Sequence, residues 1–349
     1  MSRADLIGAM RRLGFLLAIA ALTSLVPTAG LESALGQRRR AGKLRLGTVA
    51  PKNSVFHEML LKMREEWREI TNGAVDLAIY PGGVAGDEVT MLRKMRAGQM
   101  QAALLSGSGM GFLDDGVSAL QVPLMFDSLD EFDYVLDKMA PTLEQRLHDE
   151  GFTALGWGDA GWAYFFAVRE FRTPKQLREM KLYTSKGDDD MIRLFGEFGF
   201  RAIPLDLTEL QTNLETGLVD VFAVPPLIAA GYQWFGSAPN MLNMRFVPIL
   251  GSLLVNNDVW DAIPADQRRR MRAVAAELTV EIEKAAREQE ASAIRSMQEY
   301  GLRVIELDEP TLVEWKREME AVYPRLRDRY APGELLDEVV GWRDQYRAR

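Results

Sequence analysis

The segment that most restricts the fold of this chain is a run of 36 residues, 265–300, that contains neither proline nor glycine. Pro264 precedes the run and is typical of a first helical turn, and Gly301 follows it and is typical of a helix end. A continuous helix of this length would be about 55 Å long at 1.5 Å per residue, which exceeds the diameter of a small domain. The run therefore predicts one helix that spans two lobes; the alternative is a helical hairpin with an unmarked break.

Strand and helix patterns alternate in a first stretch, around residues 43–155. Extended patterns at 43–49, 75–79 and 102–105 are separated by amphipathic patterns that begin after Ser54 and Asp87. Serine and aspartate are preferred helix N-caps because their side-chain oxygens accept hydrogen bonds from free backbone N–H groups. The alternation predicts parallel strands joined by right-handed crossover helices.

A second stretch, around residues 160–250, shows the same alternation. Its predicted strands, including one just before it, are 153–157, 164–168, 202–205 and 219–224, and its predicted helices are 188–198 and 208–216. We therefore expect two α/β units instead of one continuous sheet. The whole pattern predicts an α/β fold of two lobes with a long helix spanning both lobes.

The expected domain organisation follows from these units. Residues 1–36 are expected to be a signal peptide, 37–160 with 250–288 to form lobe I, and 161–249 with 289–349 to form lobe II. Two lobes joined in this way close around a ligand by hinge motion, and the ligand pocket is expected between them.

The N-terminus has the pattern of an export signal. Arg3, Arg11 and Arg12 precede an apolar run of 14 residues, 13–26, and small residues follow it. A positive region, a short apolar region and a small-residue end describe a secretory signal peptide. The alternative is an uncleaved anchor, although the run is short for a membrane span. We therefore expect a periplasmic protein.

Composition excludes several classes of function. The chain has no cysteine and only two histidines, His57 and His148, so disulfides, thiol nucleophiles and thiolate metal sites are excluded. A net charge of −8 argues against a general nucleic-acid binder. No carboxylate pair is marked by its spacing as catalytic, and the acidic run 188–190 is interpreted as a helix cap instead of a metal site. We expect a binding protein with no catalytic residues, metal or cofactor.

The mature chain resembles the substrate-binding subunit of tripartite ATP-independent periplasmic (TRAP) transporters. The order and spacing of several short segments carry the resemblance over essentially its whole length. They are 44–51 (LRLGTVAP), 81–83 (PGG), Asp87, Leu92, 96–98 (RAG), 172–174 (RTP), Leu177, 181–182 (KL), 210–212 (LQT), 217–220 (GLVD) and 260–264 (WDAIP). The resemblance implies an α/β, two-lobed periplasmic binding protein fold with a long helix spanning both lobes, and delivery of a ligand to a pair of membrane permease subunits.

The sequence departs from this family where its members usually contact ligand. The resemblance implies an arginine that clamps a ligand carboxylate, but Tyr183 occupies its position. A second basic position, in the preceding strand, falls within the apolar and aromatic run 161–166, and Val224 lies near the position of a polar asparagine. The chain is thus expected to be an atypical member.

These departures predict an apolar ligand, such as a lipid, an isoprenoid, a sterol-like molecule or an aromatic compound. Burial of an apolar molecule is favourable, whereas an uncompensated carboxylate in a dry pocket is not. The expected ligand-binding residues are Tyr183, Trp162, Tyr164, Phe166, Phe222, Val224 and Pro225, with Phe56 and Met110 from lobe I.

Two alternatives remain open from the sequence. The first is a small organic acid bound through a relocated arginine, for which the candidates are Arg169, Arg172, Arg178, Arg193, Arg201 and Arg245. The second is a ligand shuttle that works with a periplasmic helical-repeat protein in place of a permease. We expect a monomer in either case.

Overall fold

The computed structural model describes residues 42–349, and the predicted signal peptide lies outside these residues. The strands are β1 (Lys43–Thr48), β2 (Asp76–Tyr80), β3 (Ala102–Ser106), β4 (Phe152–Ala167), β5 (Lys181–Ser185), β6 (Arg201–Leu205), β7 (Val221–Val224), β8 (Asn240–Leu242), β9 (Val247–Asn256) and β10 (Arg303–Ile305). Within the described residues, no helix has the length and apolar character that a membrane span requires.

Thirteen α-helices are formed by residues 42–349. They are α1 (Val55–Ile70), α2 (Glu88–Arg96), α3 (Gly107–Gly111), α4 (Leu129–Asp149), α5 (Pro174–Arg178), α6 (Asp189–Glu197), α7 (Leu210–Glu215), α8 (Pro226–Gly231), α9 (Asn257–Asp261), α10 (Ala265–Glu299), α11 (Glu309–Glu320), α12 (Tyr323–Leu326) and α13 (Gly333–Arg347). Short 3-10 turns lie at Asp115–Gln121, Leu207–Glu209 and Trp234–Gly236.

The predicted helix starts are confirmed by their caps. The Ser54 side chain accepts a hydrogen bond from the His57 backbone N–H, and Asp87 accepts one from Thr90 in the same way. Asp188 caps α6 as the sequence predicts. The helix predicted at 208–216 instead begins with a 3-10 turn before α7.

The strands form a ten-stranded arrangement in which eight follow the order β2-β1-β3-β9-β4-β7-β5-β6. β1 pairs in parallel with β2 and β3, and β5 pairs in parallel with β6 and β7. Between these two groups lie β4 and β9, which run antiparallel to each other and to their other neighbours in that order. The expectation that the strands form no continuous sheet is therefore wrong, because β4 and β9 connect the groups.

The predicted strands at 153–157 and 164–168 are in fact parts of the single 16-residue strand β4. Its pairing with β9 shifts register twice, between Ala154 and Trp157 and between Asp159 and Trp162. Gly156 and Gly161 lie at these shifts with φ of 156° and 86°. Glycine adopts such angles at little steric cost, so the strand bends at each shift without ending.

The long helix is unbroken over Ala265–Glu299, so the helical-hairpin alternative is wrong. Its first half packs on α1, where the buried Trp67 indole N–H donates to the Met271 carbonyl at 3.1 Å. Further along, the Tyr164 hydroxyl of β4 donates to Glu290 at 3.0 Å. α10 also packs against α8, so one helix contacts elements from both predicted α/β stretches.

Aromatic side chains form the core beside the second half of β4. The Phe165 ring centroid lies 4.4 Å from that of Phe246 and 6.1 Å from that of Trp315 on α11. The Trp315 indole donates to the Arg172 carbonyl at 2.7 Å, which ties α11 to this side of the sheet. The predicted lobe boundaries, 37–160 with 250–288 and 161–249 with 289–349, stay a prediction.

Candidate ligand-binding cavity

A cavity of about 290 Å³ is lined by residues from both groups of parallel strands. Its wall takes residues from β1, β3, β4, β5, β7 and β9 and from α6. Most of the wall is apolar, and the apolar residues include Leu104, Leu105, Ala163, Met191, Leu194, Ile228, Ile249 and Leu250. Strand ends of an α/β sheet are the usual place for a ligand, because loops there can surround it.

Four of the predicted site residues line this cavity: Tyr183, Val224, Pro225 and Phe56. Val224 ends β7 and Pro225 follows it, so the chain turns into α8 at the cavity wall. Tyr183 lies on β5 with only 8% of its surface exposed, and its hydroxyl is 3.4 Å from the Ser185 Oγ. Burial raises the pKa of Tyr183, so the hydroxyl stays neutral and can donate a hydrogen bond.

The predicted aromatic residues of β4 do not line the cavity. Trp162 and Phe166 are buried in the core, and Tyr164 is held by its bond to α10. Phe166 stacks on Phe222 of β7, with ring centroids 5.4 Å apart, so Phe222 is also turned away from the cavity. Because successive side chains of a strand point to opposite faces, Ala163 lines the cavity instead.

Met110 is also fully buried outside the cavity wall. The glycine-rich segment that contains it forms the short helix α3, capped by the Ser106 hydroxyl. Ser106 and Ser108 reach the cavity from this segment. The first lobe thus contributes hydroxyl groups to the wall where an apolar contact is predicted from the sequence.

Three carboxylates line one part of the cavity: Asp87, Glu88 and Asp188. Both oxygens of Glu88 accept hydrogen bonds from Ser106, one from its backbone N–H and one from its hydroxyl, each at 2.6 Å. Burial raises the pKa of Glu88. Burial, together with the nearby Glu88 carboxylate, raises the pKa of Asp188 to about 7. Asp87 and Asp188 can be recognised in the sequence as helix caps, whereas no sequence pattern marks Glu88 as a site residue.

No lysine, arginine or histidine from the described part of the chain lines this cavity. Among the candidate arginines, Arg172 pairs with Glu170, Arg178 with Glu318 and Arg193 with Asp190, all away from the cavity. Arg245 lies over the Trp162 ring and borders a different cavity, and Arg169 and Arg201 are exposed.

A fourth carboxylate in the wall, Asp159, belongs to a separate charged cluster. The Arg287 guanidinium of α10 forms ion pairs with Asp159, with Asp133 of α4 and with Glu283 one turn earlier. The three carboxylates are close enough to hold a metal ion, but Arg287 already contacts all three. Burial raises the pKa of Glu283 to about 8. This cluster joins α4, β4 and α10.

The fold and the cavity together define a two-lobed α/β solute-binding protein. The family model described as "Bacterial extracellular solute-binding protein, family 7" (DctP) matches residues 46–329, and the chain belongs to this family. TRAP solute-binding proteins of this family are periplasmic, deliver small-molecule ligands to membrane permease subunits and are not enzymes. The resemblance seen in the sequence is therefore confirmed.

Relatives and solved structures show what this chain is similar to. The 2,3-diketo-L-gulonate-binding periplasmic protein YiaO of Escherichia coli is 24% identical over 79% of this chain and 85% of its own length. The C4-dicarboxylate-binding periplasmic protein DctP of Rhodobacter capsulatus is 24% identical over 77% and 81%. A TRAP solute-binding protein from Ralstonia eutropha, solved with bound (S)-2-acetolactate, has a TM-score of 0.80 at 19% identity, covering 87% of this chain and 99% of its own. The ligands named for these three proteins are small organic acids, written as their anions.

Proposed function

We propose that this protein is a TRAP-type solute-binding protein whose ligand has an apolar body and is held in the cavity between the two lobes. The observation that carries the proposal is the composition of the cavity wall, which is mostly apolar and takes no basic residue from residues 42–349. The named relatives bind organic acids, so the proposal assigns this chain a different ligand class within the same family.

An acidic ligand and an apolar ligand of similar size would bind very differently in this cavity. Burial of a neutral polar group without a hydrogen-bond partner costs on the order of 2–7 kcal/mol. Burial of a carboxylate in a closed, dry pocket without a cationic partner costs more, because the charge loses its hydration. An apolar ligand instead gains about 25 cal/mol for each Å² that it buries. Tyr183 would supply a single hydrogen bond to a polar end. Lipid, isoprenoid, sterol-like and aromatic compounds all fit this description.

The mode of action proposed here follows the family. The chain would be exported by its signal peptide, residues 1–36, act as a monomer, and close lobe I on lobe II by hinge motion. Proteins of this family deliver their ligands to a membrane permease, which is the expected partner of this chain. For an apolar ligand, the alternative partner is a periplasmic helical-repeat protein.

The first experiment identifies what the protein carries. Protein purified without added ligand is extracted with organic solvent, and the extract is analysed by mass spectrometry. We expect a molecule with a large apolar body. Recovery of a small organic acid, with no apolar compound, would contradict the proposal and support an arginine that enters the site from elsewhere.

The second experiment changes the position of the usual clamp. Tyr183→Arg places a cation in the apolar cavity, so we expect loss of binding to 3-phenyl-1-propanol and a gain of binding to succinate. Tyr183→Phe is the matched control, since it keeps the ring and removes only the hydroxyl, and it should weaken binding of the alcohol by no more than one hydrogen bond, about 0.5–1.5 kcal/mol. Calorimetric titration measures both ligands. Unchanged alcohol binding by Tyr183→Arg would mean that Tyr183 lies outside the site.

A further inference from the structure

We propose that the polar part of the cavity recognises a positively charged group, so that the ligand is an organic cation, such as an alkyl or aryl amine. The inference rests on the proposed function, because it assumes that the same cavity holds the apolar body of the ligand. It concerns the wall formed by Asp87, Glu88 and Asp188, which we call the acidic wall.

The acidic wall is assembled by two segments distant in sequence. Asp87 and Glu88 begin α2, and Asp188 precedes α6. The two segments approach closely, since a Cβ atom added at Gly187 would lie only 3.7 Å from the Val89 side chain. Like charges brought together in a partly buried place repel each other, and a cation between them would relieve that repulsion.

The carboxylates of the acidic wall have no cationic partner in the described part of the protein. Within residues 42–349, no ion pair includes any of its three carboxylates, and no basic side chain lines the cavity. Asp159, the other carboxylate in the wall, differs because Arg287 pairs with it. A bound anion would add to this negative charge, whereas a bound cation would neutralise it.

A second observation points to a hydrogen-bond donor on the ligand. Thr184 lines the same cavity and is only 3% exposed, yet its Oγ1 has no hydrogen-bond partner among the described residues. Asp188 uses one carboxylate oxygen, Oδ1, for the Met191 backbone N–H. An ammonium group offers three donors and no acceptor, so it suits a cavity whose wall holds an unpartnered threonine oxygen and a carboxylate oxygen that the helix cap does not use.

An organic cation fits this wall better than a metal ion. Calcium takes six to eight oxygen ligands, and magnesium requires a near-ideal octahedron. Both Glu88 oxygens already accept hydrogen bonds from Ser106, and the wall around the carboxylates continues into apolar residues such as Met191. A single charged head with an attached apolar body matches both parts of the cavity.

The test uses three ligands with the same aromatic body and different ends: 3-phenylpropylamine, 3-phenyl-1-propanol and 3-phenylpropionate. Calorimetric titration at pH 8 measures their affinities for the mature protein. We expect the amine to bind at least about 10-fold more tightly than the alcohol, because charge-assisted hydrogen bonds are roughly twice as strong as neutral ones. The carboxylate is expected to bind most weakly.

Two variants locate the effect. Asp188→Asn keeps the helix cap, since asparagine caps as well as aspartate, and should remove most of the preference for the amine over the alcohol. Asp189→Asn is the matched control, because Asp189 is adjacent but exposed and outside the cavity. It should leave the preference unchanged.

Each outcome separates this inference from the proposed function. If the alcohol binds as tightly as the amine, the cation is rejected and the apolar ligand stands. If only 3-phenylpropionate binds, the cation is rejected, and so is the exclusion of carboxylates on which the proposed function rests. If none of the three binds, the cation is rejected for this cavity, and the mass-spectrometric experiment decides the proposed function by itself.

Discussion

Asp188→Asn should stabilise the protein, and the gain should grow with pH. Burial and the Glu88 carboxylate raise the pKa of Asp188 from an ordinary 3.8 to about 7. The other titratable groups that face it are Asp189, Tyr183 and Tyr330. Asparagine keeps the cap on α6 but cannot ionise, so the variant isolates the charge of this one carboxyl group.

The sign and magnitude follow from linkage. A pKa that is higher in the folded state than in the unfolded state means that protonation stabilises the folded state. This contribution to stability is fully present below pH 3.8 and is lost as the pH rises through 7. At 1.36 kcal/mol per pH unit, the loss by pH 8 is about 4 kcal/mol, and about 2 kcal/mol is already lost at pH 5. The variant avoids both losses.

The assay is urea unfolding of ligand-free protein, followed by tryptophan fluorescence, at pH 5 and pH 8. We expect the free energy of unfolding of Asp188→Asn to exceed that of the unaltered protein by about 2 kcal/mol at pH 5 and about 4 kcal/mol at pH 8. Asp189→Asn controls for removal of an adjacent exposed charge. An equal gain at both pH values, or a loss of stability, would refute the assignment of a buried, repelled carboxylate at position 188.

Three substitutions elsewhere test the packing of the fold by the same unfolding assay. Arg287→Met should lower the free energy of unfolding by about 3–5 kcal/mol, because it leaves buried carboxylates without their cation; Glu288→Gln, on the exposed side of the same helix, should change it by less than about 0.5 kcal/mol. Phe166→Ala should cost about 3–5 kcal/mol through the cavity it leaves in the core, and Phe166→Leu clearly less; equal losses would show that this site is not closely packed. Trp67→Phe should cost about 1–3 kcal/mol, since it leaves the buried Met271 carbonyl without its indole donor; no change would mean that the bond between α1 and α10 adds nothing.

Local chemistry explains what could be predicted of the fold. Ser54, Asp87 and Asp188 cap their helices in the structure because capping depends only on a side chain and the backbone within three residues of it. The long helix is marked by the missing proline and glycine between residues 264 and 301. The continuity of β4 carries no comparable signal, because Gly156 and Gly161 look like strand ends until their register with β9 is known.

In the candidate site, too, some residues could be predicted from the sequence and others only from the tertiary structure. Tyr183 and Val224 could be selected because they replace expected polar residues, and both line the cavity. Alternation along β4 cannot say which face points inward, so Trp162 and Phe166 were expected in the site although they lie in the core.

The sequence by itself determined the family, the long helix, the helix caps and the absence of cysteine chemistry, because each depends on residue identity and short spacing. Only the tertiary structure brought Glu88 together with Asp188, paired Arg287 with three carboxylates and kept basic side chains of the described residues away from the cavity. Those features join residues as far apart in the sequence as Asp133 and Arg287, which are separated by 154 positions. Electrostatic interactions depend on distance and burial, which no local pattern along the chain encodes.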